Sequence, residues 1–255
     1  MIAHWAVPMA GIDPAHVKLT YLHAVVSRWL DSDAEHSAGI KGWSLTPMID
    51  VDGVPAIHFI TMSGDAFDTA GIASLAGHNV RLGSQDGVAL ADPILLERLS
   101  ADEVLETPPA HAHTVTFMTP TSLRHGSKTS PLLDPVGLAT SLTRRWNGLV
   151  SSVEHQLSPS AATGAFVSDI DGHNTVLRLH SMTVSGFLGS MRFEYATDQS
   201  AHLFSRMWAL AEHVGVGAYT TAGLGCVAIE KTEEKRDPRR DPAPRNQRRT
   251  PIPTR

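Results

Sequence analysis

The chain of 255 residues is long enough for one large domain or for two domains that each bury a core. Its formal net charge of -5 hides an asymmetry, because residues 231–255 hold nine Lys and Arg against four Asp and Glu. The other 12 basic and 22 acidic residues exclude a general nucleic-acid binder, since affinity for polyanions depends on neutralising phosphates. Any nucleic-acid site on the body of the chain therefore has to be local.

Membrane segments and disulfides are not expected. No apolar run approaches the roughly 20 residues of a membrane helix, and the start "MIAHWAVPMAGIDP" lacks the features of a signal peptide. The single cysteine, Cys226, excludes an internal disulfide and a cysteine-based zinc site. It lies in the apolar run "LGCVAIE", which favours a buried side chain over a nucleophile. These features predict a soluble, cytoplasmic protein.

The first half of the chain has the element order β-α-β-β-α-β. It opens with the strand "IAHWAVPM", followed by a helix over 16–31 with apolar residues at helical spacing. Two strands, "WSLTPMIDV" and "PAIHFITMS", are separated by the hairpin signal Asp52-Gly53. A second helix, "DAFDTAGIASLAG", ends at Gly77, and the strand-like "HNVRLGSQDGVAL" follows.

The second half repeats this order after a connection over 91–109. The predicted elements are the strand "AHTVTFMTPTSL", a helix over 134–157 opened by Asp134-Pro135, the hairpin strands "HNTVLRLHSMTV" and "GFLGSMRFEYAT", a helix with Ser200 as N-cap, and the strand "GLGCVAIE". We therefore predict an α+β fold of two tandem ferredoxin-like (RRM-like) domains, residues 1–108 and 109–231. The Arg- and Pro-rich tail, 232–255, is predicted to be disordered, either as a solvated tail or as an auxiliary RNA-contacting arm.

The stretch "GVGAYTTAGLG", 215–225, is rich in glycine like many ligand-binding loops, but it fits neither of the two common nucleotide-binding loops. A dinucleotide loop needs a strand before its glycines and a helix after them, whereas here the helix comes first. No Lys-Ser or Lys-Thr ends the run, which excludes a P-loop. Two interpretations stay open: a tight turn with Gly215 as the helix C-cap, or a loop whose bare amides approach a phosphate chain.

Four stretches in this order resemble one protein family. They are the glycine-rich loop between helix and strand, "FMTPTSLRHG" with "SPLLDPVGLATSLTRRWN", the hairpin "VSGFLGSMRFEY", and "YLHAVVSRWLDSDAEHSAGIKGWSLTPM" with its loop histidine. Together they resemble the CRISPR-associated repeat-RNA processing endoribonucleases, the protein-six family of the repeat-associated mysterious protein (RAMP) superfamily. The resemblance implies two ferredoxin-like domains, CRISPR repeat RNA as substrate, and cleavage by the ribose 2′-hydroxyl with neither metal nor cofactor.

The resemblance also assigns catalytic candidates. His36 matches the loop histidine of the family, and histidine titrates near neutral pH as an acid or base should. Lys41 is the candidate cation beside the phosphate. Tyr21 and His23, on the first helix, are candidates for either role.

A second set of candidates would bind RNA. The basic cluster Arg124, His125 and Lys128 and the pair Arg144 and Arg145 are candidate phosphate contacts, with solvated side chains as the alternative. The glycine-rich loop would contribute seven residues: Gly215, Gly217, Tyr219, Thr220, Thr221, Gly223 and Gly225.

A metal site at His111 and His113 is not expected, since no Cys or acidic pair completes it, and a solvated strand is the interpretation we favour.

Two other functions remain open on the sequence. A non-catalytic RAMP subunit would hold guide RNA in an effector complex with other Cas subunits, and its loop around His36 would carry no chemistry. A scaffold of ferredoxin-like domains that binds only proteins fits the acidic body better. The sequence also leaves open whether the chain forms a homodimer.

Overall fold

The computed structural model describes residues 2–31, 41–62, 74–148, 150, 152–179 and 182–231. The predicted tail and most of the predicted helix over 65–77 lie outside this range, as does His36. No helix in the described part is long and apolar enough to cross a membrane.

The N-terminal domain is built on a seven-stranded antiparallel sheet. Its elements are β1 (Ile2–Ala10), α1 (Leu19–Leu30), β2 (Trp43–Leu45), β3 (Ile49–Val51), β4 (Val54–Thr61), β5 (Asn79–Leu82), β6 (Gln85–Ala89), β7 (Ile94–Leu99) and α2 (Ala101–Leu105). The strand order is β2-β4-β1-β6-β5, with β3 added beside β4 and β7 beside β1. Helix α1 packs on this sheet through Leu22, Val25, Val26 and Leu30, the apolar face that its spacing predicted.

Three sequence predictions for this domain need correction. The predicted strand 43–51 is two strands, because residues 46–48, with Pro47 among them, leave the sheet. The predicted strand 78–90 is the hairpin β5–β6, which turns at Gly83, where φ is +70° and the Tyr21 ring occupies the space of a side chain. The predicted connection over 91–109 contains β7, which pairs with β1, and the helix α2. The Asp52-Gly53 turn is confirmed, with positive φ at both residues.

The C-terminal domain has a four-stranded antiparallel sheet and two helices. Its elements are β8 (Ala112–Thr121), β9 (Leu123–His125), β10 (Lys128–Ser130), α3 (Pro135–Asn147), β11 (Ala165–Leu179), β12 (Met182–Tyr195), α4 (Asp198–Val214) and β13 (Val227–Lys231). The sheet order β11-β12-β8-β13 places the first and third strands of the unit at the centre, the ferredoxin-like order. The α+β class with two ferredoxin-like units is therefore confirmed.

Element ends in this domain differ from the sequence predictions. Helix α3 ends at Asn147 and not near 157, because the Asn147 side chain bonds the backbone of Leu157 and the Trp146 indole donates to the His155 carbonyl, which turns the chain back. Strand β11 ends at Leu179 and β12 begins at Met182, so Gly186, predicted to open the second strand of the hairpin, lies inside β12. Thr197, not Ser200, is the N-cap of α4, and Ser200 completes its capping box.

The two domains pack against each other through one hydrophobic cluster. Ile2, Ile60 and Met62 of the first sheet and Val104 of α2 belong to the same buried cluster as Phe204 and Trp208 of α4. The first domain also has a core of its own between α1 and its sheet. A boundary near residue 108 remains a sequence prediction.

Candidate nucleic-acid interface

A cleft of about 600 Å³ opens between α3, β9 and the glycine-rich loop. We call it the basic cleft. The sequence candidates that line it are Lys41, Arg124, His125, Arg144, Arg145, Gly217, Tyr219, Thr220 and Thr221. Asp134 is the acidic residue of the lining, and its carboxylate accepts a hydrogen bond from the Gly137 amide as the N-cap of α3. The cleft is therefore a local cationic surface on an acidic body.

The glycines of the loop are required by its backbone. Gly215 ends α4 with φ +73°, as its C-cap interpretation predicts, and Gly217, Gly223 and Gly225 also have positive φ. A Cβ at Gly225 would lie 1.9 Å from the Val216 carbonyl oxygen, and one at Gly217 would lie 2.3 Å from that of Ser122. The loop crosses other backbone too closely for any side chain at these two positions.

The loop presents a polar edge to the cleft. Of its glycines, Gly217 lines the cleft, while Gly215, Gly223 and Gly225 are buried and shape the loop from within. In the part of the chain that the structure describes, the amides of Gly217, Tyr219 and Thr221 have no hydrogen-bond acceptor. Unpaired amides beside a cationic wall are suited to phosphate oxygens.

Arg145 fixes the loop to both domains. Its guanidinium donates to the Val214 carbonyl at 2.9 Å, to the Thr220 hydroxyl at 2.7 Å and to the Trp43 carbonyl at 3.4 Å. Burial lowers the pKa of Arg145 to about 10, so it remains cationic at neutral pH. The predicted RNA-contacting Arg145 thus also organises the junction of α4, the loop and β2.

The remaining basic candidates of the C-terminal domain differ in position. Arg124 lies over the Tyr219 ring, 5.3 Å from its centroid, and Arg144 is exposed at the end of α3. His125 is exposed beside Arg124 on β9. Lys128, opposite His125 on β10, does not line the cleft, and its RNA contact stays a prediction.

Among the described residues of the N-terminal domain, Lys41 is the one that lines the cleft. Its ammonium is 2.5 Å from a carboxylate oxygen of Asp31, whose other oxygen accepts from the Trp43 indole at 2.7 Å. The Asp31 side chain is only 4% exposed, against 19% for Lys41. Lys41 is therefore held in place by a buried carboxylate at the mouth of the cleft.

The other N-terminal candidates occupy three different settings. The His23 ring stacks on Trp43, and its Nδ1 lies 2.8 Å from the Thr221 carbonyl oxygen, so it supports the loop from behind. Tyr21 packs against the β5–β6 turn and does not line the cleft. His36 lies in the segment 32–40, outside the described residues, but the two residues that flank this segment are the paired Asp31 and Lys41.

Several features of the site escaped the sequence analysis. Gly137, Thr140 and Ser141 line the cleft together with the predicted Arg144, and the i, i+3, i+4, i+7 spacing of the four residues was a readable signal of one polar helix face. Asp31, which bonds Lys41, and Trp43, whose carbonyl oxygen accepts from Arg145, gave no such signal.

Two interpretations of single residues can also be judged. The solvated strand expected at His111 and His113 is wrong for His113, which is buried with Nδ1 at 3.0 Å from the Tyr195 hydroxyl. Cys226 is buried as predicted, and burial raises the pKa of its thiol.

Comparison with known proteins places this cleft in a family context. Residues 115–227, which contain most of the cleft and the whole loop, match the family model of the CRISPR-associated endoribonuclease Cas6. No curated protein sequence matches the chain.

Among solved structures, a Cas6 (TTHA0078) product complex has a TM-score of 0.74 at 19% identity and covers 90% of this chain and 99% of its own. A Cas6 (TTHB231) product complex has a TM-score of 0.71 at 20% identity, covering 90% and 100%. The structure titled Thermus thermophilus Cas6 (TTHB231) reaches 0.66 at 19% identity, covering 90% and 98%. The chain thus carries the sequence pattern of the Cas6 endoribonuclease family over residues 115–227, and it has the Cas6 fold across both domains.

Proposed function

We propose that this protein is a metal-independent endoribonuclease that cuts CRISPR repeat RNA and releases guide RNAs. The observation that carries the proposal is the basic cleft, in which phosphate-binding groups of the C-terminal domain face a fixed lysine of the N-terminal domain. The family match to Cas6 covers the same part of the chain. Cas6 proteins of this fold have been solved as product complexes and as a substrate-mimic complex.

The proposed reaction is an internal transesterification. The ribose 2′-oxygen bonds to the neighbouring phosphorus, and the bond from phosphorus to the 5′-oxygen of the next nucleotide breaks. A base accepts the 2′-hydroxyl proton and an acid supplies a proton to the leaving 5′-oxygen, which leaves a 2′,3′-cyclic phosphate and a 5′-hydroxyl end. The atoms balance without water, metal or redox partner.

His36 is proposed as the general acid or base. Its segment, 32–40, is flanked by Asp31 and Lys41, which are joined by a buried ion pair at the cleft. Lys41 is the fifth residue after His36, and five residue steps span at most about 18 Å. Lys41 would offset the charge that develops on the phosphate oxygens. His23 would act through the loop, since its ring nitrogen bonds the Thr221 carbonyl.

The RNA is proposed to lie along the glycine-rich loop and α3. The amides of Gly217, Tyr219 and Thr221 would donate hydrogen bonds to phosphate oxygens, with Arg124 and Arg144 as exposed cations in the same cleft. Contacts with other Cas proteins and a homodimer remain predictions.

A cleavage assay tests the proposal. The protein is incubated with end-labelled repeat RNA in EDTA, beside a substrate with a single 2′-deoxyribose at the scissile position. We expect one cut in EDTA, a cyclic phosphate on the upstream product, and no cut in the deoxy substrate. His36→Ala should lower the cleavage rate by about 10²- to 10⁴-fold while RNA binding stays intact.

His202→Ala is the matched control, because His202 is exposed on α4 and does not line the cleft. Cleavage of the deoxy substrate would disprove the chemistry. RNA binding without cleavage would instead indicate a guide-RNA-holding subunit, and full activity of His36→Ala would transfer the catalytic role to another residue.

A further inference from the structure

Three histidines and a glutamate meet where α4 lies against the first sheet. His4 on β1 and Glu97 on β7 are directly paired across the strands, and His58 on β4 lies on the same face. His213, in the last turn of α4, approaches from the other domain. Its Nδ1 is 2.9 Å from His4 Nε2 and 3.7 Å from a Glu97 carboxylate oxygen. None of these residues lines the basic cleft.

The hydrogen bonds around His4 fix its tautomer. The Thr46 hydroxyl donates its one hydrogen to the Pro47 carbonyl, so His58 Nδ1 donates to the Thr46 oxygen at 2.8 Å. The neutral His58 then accepts at Nε2, 3.2 Å away, from His4 Nδ1. We therefore assign the lone pair of His4 to Nε2, the atom that faces His213 and Glu97. A histidine held this way by an outer partner is the usual arrangement of a metal ligand.

We propose that His4, Glu97 and His213 bind a zinc ion that joins the two domains. The three ligand atoms, His4 Nε2, His213 Nδ1 and a Glu97 carboxylate oxygen, lie within 4.8 Å of one another. Two histidines and one glutamate form a known zinc donor set, which leaves the fourth tetrahedral position to water.

The separations fit a tetrahedral ion after a small adjustment. Metal–ligand bonds of about 2.0 Å at tetrahedral angles place donor atoms about 3.3 Å apart. The two distances from His213 Nδ1, 2.9 Å to His4 Nε2 and 3.7 Å to the Glu97 carboxylate, lie on either side of that value, so shifts of a few tenths of an ångström bring both to it. The Glu97 side chain is 55% exposed and free to adjust, and the exposed side gives the ion a path of entry.

The charges around the site also favour a cation. The Nε2 lone pair of His4 faces the site, and a neutral imidazole is the form of histidine that binds metals. The Glu97 carboxylate has no cationic partner at hydrogen-bond distance in the described part of the chain, and a zinc ion would provide one.

The position of the site gives it a structural role. His213 is two residues before Gly215, where the glycine-rich loop begins. An ion held by β1, β7 and the end of α4 would fix the base of that loop against the first domain. The site is separate from the cleft, so the proposed cleavage chemistry does not pass through the ion.

Zinc titration of the full chain tests the inference. The protein is treated with EDTA, the chelator is removed, and ZnCl₂ is titrated by calorimetry, followed by thermal unfolding with and without Zn²⁺. We expect one tight site per chain and a higher Tm with Zn²⁺. Co²⁺ in its place should give the visible absorption of a tetrahedral N,O site.

Variants identify the ligands. Glu97→Gln should weaken zinc binding by at least about 10-fold without unfolding the protein, because the side chain is largely exposed. His213→Gln should weaken it further. Glu230→Gln, a charge-matched change at an exposed site on β13, should bind zinc as the unmodified chain does. Absence of a tight site, or a site that survives both Glu97→Gln and His213→Gln, would overturn the proposal and leave a hydrogen-bonded histidine chain.

Discussion

The two domains share a fold but contribute to the cleft in different ways. The C-terminal domain lines nearly all of it, through α3, β9 and a loop whose shape is fixed by close backbone contacts. The N-terminal domain contributes Lys41, at the end of the segment that carries His36. This division matches the proposed function, in which the C-terminal domain would bind the RNA and the N-terminal domain would supply the reacting groups.

The largest expected effect is a loss of stability from a substitution in the glycine-rich loop of the C-terminal domain. Gly225→Ala places a Cβ 1.9 Å from the Val216 carbonyl at φ +76°, so we expect the free energy of unfolding to fall by about 3 kcal/mol or more. Gly53→Ala, at φ +82° with open space around it, should cost only about 1 kcal/mol. Urea unfolding measures both, and equal losses would contradict a loop shaped by close packing.

Lys41→Ala separates catalysis from binding. We expect the single-turnover cleavage rate to fall about 100-fold, because a fixed cation beside the reacting phosphate is lost, while the RNA Kd changes less than about 3-fold. The free energy of unfolding is measured in parallel, since the Asp31 carboxylate loses its ion pair with Lys41. The control, Lys18→Ala, removes an exposed lysine of the N-terminal domain that lies outside the cleft. A large rise in Kd with an unchanged rate would assign Lys41 to binding and break the division between domains.

Arg145→Lys tests the junction between the two regions. A lysine cannot reach the Val214 carbonyl, the Thr220 hydroxyl and the Trp43 carbonyl together, so we expect a loss of about 2 kcal/mol in the free energy of unfolding. Arg144→Lys, at the neighbouring exposed position, should cost less than about 0.5 kcal/mol. Similar values for the two variants would show that Arg145 does not organise the loop.

The smallest effect concerns a single phosphate contact. Arg124→Ala should weaken repeat-RNA binding by about 3- to 10-fold and reduce the slope of log K against log salt by about 1. Arg81→Ala removes the same charge from an exposed hairpin of the N-terminal domain and should leave both quantities unchanged. Filter binding over a salt series measures both quantities. Equal effects of Arg124→Ala and Arg81→Ala would mean that the general charge of the protein, and not the cleft, attracts the RNA.

Local signals in the sequence were sufficient for most elements of the fold. The α1 spacing, the Asp52-Gly53 turn, the Asp134 cap and the Gly215 cap each depend on interactions within a few residues, and each is confirmed. The errors occur where the structure of a segment depends on contacts with residues far away in the sequence. The connection before residue 109 contributes a strand because β1 offers it an edge, and His113 is buried because Tyr195 covers it.

The sequence by itself determined the order of elements and the need for glycines after α4, because hydrophobic period and backbone sterics are local properties. It also supplied most residues of the basic cleft as separate candidates. Only the tertiary structure decided which of these candidates line the same cleft. It also decided that Arg145 bonds the loop while Arg124 and Arg144 stay exposed. The contact between His4 and His213, which are 209 residues apart in the sequence, likewise depends on the tertiary structure. Such contacts depend on how two sheets and the end of a helix pack together, and a local sequence pattern contains no information on contacts between residues so far apart in the chain.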